Sequence, residues 1–260
     1  MSVQFSDTTN YKGIIQLIER ELGFDRAYIS GNTNLLKEFT ADVNTVWDDY
    51  VYLALKSSGD WQWDDSNHTV DYPIIYRNIV SGTQDYTFTT DATDNLILDI
   101  FKVMVLRSAT ATTYDEIYPV DQQQIEAYNS GDDIAEERST QGVPERYDKT
   151  ANGIFLDAIP NYSATRGLKV FINREPSYFV STDTTKKPGC PGIHHRYFAV
   201  KTAMINASRY APNQYNRLRE EVVSFEGDEE KGLKGSIERY FSRREKDVRP
   251  IYQPEPIIYE

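Results

Sequence analysis

The chain has 260 residues, a formal net charge of −12 and one cysteine, Cys190. That length can bury a sizeable core as one large or two small domains, and one thiol excludes an internal disulfide and a cysteine-based zinc site. With 40 acidic against 28 basic side chains the surface lacks the dense positive footprint of a protein that grips nucleic acid over most of its area.

Apolar runs such as 103–106 fall far short of the roughly 20 residues that a bilayer span needs. The opening residues, Met1 to Asp7, lack the basic and apolar regions of a signal peptide, so the expected setting is the cytoplasm and no membrane partner is expected.

Ile14, Ile15, Ile18 and Leu22 recur at helical spacing, with Gly23 as a natural stop. Asn34 is the expected cap of a longer helix whose face is Leu35, Leu36, Phe39, Val43, Val46, Trp47, Tyr50 and Ala54. Beyond Trp61 and Trp63 the period falls toward two, and residues 74–80, 86–89, 96–105, 114–118, 146–149, 154–158 and 168–172 read as strands. Asn152 and Gly153 tolerate positive φ and predict a type I′ hairpin turn. Asp121 is placed to cap a short helix to about Tyr128, followed by an acidic loop over 130–142.

Helical spacing returns after the 188–192 breaker. Ile193, Tyr197, Val200, Met204 and Ala207 form one stripe, and Tyr215, Leu218, Val222 and Phe225 another beyond Pro212. Leu233, Ile237 and Phe241 continue the stripe, weakened by Gly227, Gly232 and Gly235. Terminal helices separated by a run of strands must pair to bury their stripes. The expected fold is therefore α+β: a helical bundle from residues 1–66 and 186–247, an inserted antiparallel β-sandwich or barrel over 67–185, and an extended C-terminal arm over 248–260.

Chemistry-bearing patterns are sparse. His194 and His195 are adjacent, so their rings diverge, and no third ligand stands at a metal-binding spacing. Cys190 has no Cys/His/Asn pattern around it. Lone glycines at 13, 23, 31 and 82 match neither phosphate-binding fingerprint. Asp60, Asp64 and Asp65 around Trp61 and Trp63 suggest at most a sugar subsite. No catalytic, cofactor or metal site is expected, and the chain is not read as an enzyme.

The C-terminal region is distinctive. Residues 231–249 carry seven basic side chains against three acidic ones, then run into a segment in which Pro250, Pro254 and Pro256 forbid helix. Ile251, Tyr252, Ile257, Ile258 and Tyr259 are poorly suited to a solvated end. Such a segment either binds a partner or folds back over its own domain.

Residues Glu175 to Gly189, Arg146 to Asp157 and Tyr50 to Trp63 resemble tailed-bacteriophage head-to-tail adaptor (connector, neck) proteins. The resemblance runs from the first helix to the Arg-rich end at 240–250. Cys190, His194 and His195 depart from it, where aromatic, aliphatic or acidic residues are expected. The resemblance implies a structural virion protein at the portal vertex, assembled in the host cytoplasm. Its implied form is a ring, usually of twelve subunits, between the portal protein and a downstream tail or neck protein, through which genomic DNA passes non-specifically.

An acidic lumen would repel phosphates, which makes Glu38, Asp42, Asp48 and Asp49, or Asp132, Asp133, Glu136 and Glu137, candidate channel-lining residues. Ile251, Tyr252, Ile257 and Tyr259 are the expected portal anchors of the arm, with Arg243, Arg244 and Arg249 at its root meeting acidic portal surface. Two other readings compete. One is a carbohydrate-binding or glycan-hydrolysing protein built on Trp61 and Trp63. The other is a DNA-binding protein using Arg239, Arg243, Arg244 and Lys246.

Overall fold

A computed structural model of the chain describes residues 3–58, 74–90, 96–120, 139–228 and 230–245. The fold is mixed α and β, with two compact units: residues 1–60 together with 178–260, and residues 61–177.

The first unit holds five α-helices among the described residues: α1 (Ile14–Leu22), α2 (Thr33–Ser58), α3 (His195–Tyr210), α4 (Tyr215–Glu226) and α5 (Ser236–Glu245). The apolar face of α1 is buried, and the helix stops where Gly23 takes φ 75° and lets its own N–H and that of Phe24 close on the carbonyls of Arg20 and Glu19. Asn32, two residues before the expected cap, begins α2: its Oδ1 accepts the N–H groups of Asn34 and Leu35 at 3.1 and 3.2 Å. Asn34 instead lies in the first turn.

Phe39, Val43, Val46, Trp47, Tyr50 and Ala54 on α2 are all buried. Helix α2 packs against α3 and α5, α1 packs against α3, and α3 against α4. The Trp47 and Phe198 rings meet edge to face at 4.6 Å.

The helix expected to continue past Phe225 is broken. Strands β10 (Gly227–Asp228) and β11 (Leu233–Lys234) form a small antiparallel pair between α4 and α5. A Cβ on Gly235 would stand 2.1 Å from the Phe225 carbonyl oxygen, and Gly227 takes φ 99°, so the backbones touch where only glycine fits. Leu233 is exposed as a result, while Ile237 and Phe241 keep their places in the core.

Residues 178–186, expected to belong largely to the β module, sit with the helices. Phe179 stacks on Phe5 at 4.6 Å, and the Asn44 amide both donates to the Phe179 carbonyl and accepts its N–H, each at 2.9 Å. One buried ring and a two-point side-chain grip outweigh the segment's extended backbone.

The second unit is a seven-stranded, mostly antiparallel sheet. Its strands are β1 (Ile74–Ile79), β2 (Asp85–Thr87), β3 (Ile97–Leu106), β4 (Tyr114–Pro119), β6 (Arg146–Thr150), β7 (Gly153–Leu156) and β9 (Ala164–Arg174), in the order β1-β9-β3-β4-β6-β7-β2. The short β5 (Gln141–Gly142) and β8 (Ile159–Pro160) pair separately. Alternate residues, among them Val103, Val105, Ile117, Ile154, Leu168 and Val170, point to one apolar cluster. The sheet curls around it as a half-barrel: next to edge strand β1, the Val80 N–H donates to the hydroxyl of Tyr86 on the opposite edge strand β2, at 3.1 Å.

Two expectations about this unit are corrected. The β4–β6 junction is parallel, which the long chain segment between those strands permits. In the β6–β7 hairpin Thr150 pairs with Gly153, so Ala151 and Asn152 form the turn, and neither has positive φ. Gly153 is required for a different reason: a Cβ there would lie 2.1 Å from the Tyr86 carbonyl oxygen, so glycine lets β2 approach β7.

Candidate functional site

The polar core of the helical unit is organised by Tyr50 of α2. A single 3-10 turn, Gly192–His194, precedes α3 and turns His194 inward, where its Nδ1 lies 2.7 Å from the Tyr50 hydroxyl. Burial pushes the Tyr50 hydroxyl well above its ordinary range, and it also pushes up the Cys190 thiol that bonds the same hydroxyl. With both groups protonated, the thiol can donate to Tyr50 and Tyr50 to His194 Nδ1, which leaves the proton of the neutral imidazole on Nε2. His195 faces another way: its Nδ1 accepts the Val3 N–H at 2.8 Å and its Nε2 meets the Cys190 carbonyl at 3.0 Å.

His194 is held down to about 4, first by burial and then by neighbouring His195. The unfolded chain takes this proton near pH 6.5, and the folded chain refuses it until about pH 4. Stability from this group is therefore complete above pH 6.5 and falls on acidification, with a slope of up to about 1.4 kcal/mol per pH unit in that window. The lowered carboxyls of Asp7 and Asp228 titrate below about 3.8, outside it. Urea midpoints measured between pH 7 and 4.5 are expected to drop for the wild-type chain and to drop less for His194→Gln. Equal slopes would remove His194 as the cause.

A second polar cluster holds Lys201 of α3 between Asp49, at 2.9 Å, and Glu226. Burial disfavours its ammonium, but the hydrogen bonds and charges of Glu226 and Asp49 outweigh that and move its pKa up. Tyr197 donates to the same Glu226 at 2.6 Å.

These contacts place the acidic residues of α2. Glu38 pairs with Arg209 at 2.6 Å and Asp49 with Lys201. Asp42 accepts from the Asn206 amide at 2.8 Å and Asp48 from the Tyr178 hydroxyl at 2.6 Å. All four tie α2 to residues from the C-terminal part of the chain. Asp132, Asp133, Glu136 and Glu137 lie outside the described residues. So do Asp60, Trp61, Trp63, Asp64 and Asp65, the expected helix from Asp121, and the arm with Arg249, Ile251, Tyr252, Ile257 and Tyr259. Arg244 lies on α5 but its side chain is not described, whereas Arg243 is described and exposed.

Arg243 stands at a pocket of about 690 Å³ that also reaches His194. Ser236, Arg239, Tyr240 and Arg243 line it along one face of α5, opposite Ile193 and Phe225. Sequence reasoning found the arginines but missed the pocket. Its signal is the spacing of 236, 239, 240 and 243, which puts four side chains on one face of a helix.

Among the described residues no group of three or more His, Cys, Asp or Glu could hold a metal ion, and no helix is long and apolar enough to cross a membrane. No protein-family model matches the chain, and no curated protein matches it at a significant level.

Proposed function

We propose that the chain is the subunit of a ring adaptor between the portal and the tail of a tailed bacteriophage, a conduit through which genomic DNA passes without being read. The observation that carries this reading is the insertion. Residues 1–60 and 178–260 build one helical unit, and residues 61–177 form a separate β unit between them. In the ring the helices form a bundle that serves as the lateral wall, where each subunit meets the next head to tail and the rotation closes, at twelve copies to match the portal. The β unit offers its loops to the downstream tail or neck protein.

The channel-lining candidates on α2 divide on their contacts. Glu38 pairs with Arg209, and Asp49 shares the single ammonium of Lys201 with Glu226. Asp42 and Asp48 accept from neutral donors and have no cationic partner among the described residues. Asp42 and Asp48 are therefore the better candidates for a surface that repels phosphate.

In this reading the segment beyond Val248 is an extended arm that seats Ile251, Tyr252, Ile257 and Tyr259 on the portal, stiffened by its prolines. Arg243, Arg244 and Arg249 tune the encounter. A chain truncated after Asp247 retains the core residues Ile237 and Phe241. It is expected to melt as the full chain does and to lose attachment to portal-bearing capsids in a co-sedimentation assay. Truncated chain that attaches as well as the full chain would remove the arm from the function. Electron microscopy of the purified protein with and without portal tests the ring itself.

A further inference from the structure

The pocket along α5 presents hydrogen-bond donors from several directions. Arg239 and Arg243 are both exposed, and neither guanidinium has an acidic partner among the described residues. His194 is only 2% exposed. Its Nδ1 is turned inward to Tyr50, and its ring stands edge to face with Tyr240 at 5.1 Å. His194 also lines the pocket. The Ser236 hydroxyl adds a further donor where α5 begins.

The same pocket has an apolar side. Ile193 is 66% exposed at its rim, with the rings of Phe225 and Tyr240 beside it. From Ser236 to Arg243 the helix advances about 10 Å, the length of about three extended residues. Two cations next to branched and aromatic surface suit a carboxylate with an apolar neighbour. They suit the phosphate backbone of duplex DNA poorly, because it would leave Ile193 and Phe225 without an apolar contact.

We propose that this groove docks an extended acidic peptide of another protein, seating a carboxylate side chain between Arg239 and Arg243, with the next branched or aromatic side chain over Ile193 and Phe225. It rests on the ring-adaptor reading only in taking the portal as the source of that peptide; the groove is tested without one.

The probe is a fluorescein-labelled synthetic peptide, Gly-Ile-Glu-Tyr-Glu-Ile-Gly with blocked ends, titrated with the full chain and read by anisotropy. Saturable binding is expected, weakened about tenfold or more when both Glu become Gln and when the chain carries Arg239→Ala with Arg243→Ala. Both arginines are exposed, so the double variant should melt like the wild type. An Ile193→Ser chain should weaken binding with the charges intact. The proposal is overturned by no binding, by binding that ignores the double substitution, or by a duplex oligonucleotide binding the groove in place of the peptide. It is also overturned if only the chain truncated after Asp247 binds, because the groove then belongs to the chain's own segment bearing Glu255, Ile257, Tyr259 and Glu260. Peptide binding by a chain that does not attach to portal-bearing capsids supports the groove and counts against the ring reading.

Discussion

Trp47→Ala is expected to cost about 3 to 5 kcal/mol of stability, a drop in melting temperature of about 10 °C for a chain of this size. Trp47 is 1% exposed and sits where α2 crosses α3, edge to face with Phe198 at 4.6 Å and with Tyr50 at 5.6 Å. Removing the indole leaves a cavity against two other aromatic rings, and these cannot collapse into it without leaving their own contacts. Tyr50 is further committed by its hydroxyl to His194. The control is Tyr52, two residues along the same helix and 63% exposed, for which Tyr52→Ala is expected to change stability by about 0.5 kcal/mol or less. Urea denaturation of the three chains makes the comparison. If Trp47→Ala unfolded at the wild-type midpoint, the α2–α3 packing described above would be wrong.

Most of the secondary structure was legible because burial imposes a period. The stripe from Phe39 to Ala54 and the alternation in Val103 and Val105 needed no partner to be read. Features that depend on a second piece of chain were not legible. Gly153 reads as a turn glycine until β2 is seen pressing Tyr86 O against it. Gly235 reads as a weak helical position until the Phe225 carbonyl is found where its Cβ would be. Asn34 reads as the cap of α2, yet Asn32 is an equally good cap residue and only backbone geometry separates the two.

The site follows the same division. Arg239 and Arg243 were visible as charge, but His194 gained its role from Tyr50, 144 positions away in the chain, and no local pattern encodes that distance. Likewise the α2 carboxylates read as a charged face, yet Asp42 and Asp49 meet Asn206 and Lys201 from the other end of the sequence. A parallel β4–β6 pair was hidden for a related reason: strand direction depends on the path of the connection, which residue pattern does not report.

Glu19→Ala is expected to cost about 3 to 5 kcal/mol, because hydrogen bonds to a charged acceptor contribute about 1.5 to 3 kcal/mol each and this carboxylate accepts several. Glu19 is 3% exposed on α1, a position that helical periodicity alone assigns to the buried face. Its Oε1 accepts the N–H groups of Ile29 and Ser30 at 2.9 Å and the Ser30 hydroxyl at 3.1 Å, and its Oε2 accepts the Ala27 N–H at 3.3 Å. These bonds hold the α1–α2 connection in a shape it would not adopt alone: Ala27 has φ 63°, which costs a residue with a Cβ about 1 to 2 kcal/mol. The connection in turn buries Ile29 and sets Phe24 against Tyr28 and Tyr210 at 4.3 and 5.5 Å. Without the carboxylate, the donors of Ile29 and Ser30 lose their acceptor and Ala27 loses the restraint that offsets its strain. Glu19→Gln keeps one carbonyl acceptor and should lose less, about 1 to 2 kcal/mol. Denaturation midpoints give the order of the two variants, and amide exchange at Ile29 and Ser30 locates the effect, with faster exchange expected there than at Ile18. Two variants as stable as the wild type, with unchanged exchange at Ile29, would mean that the loop is held by its aromatic contacts and not by Glu19.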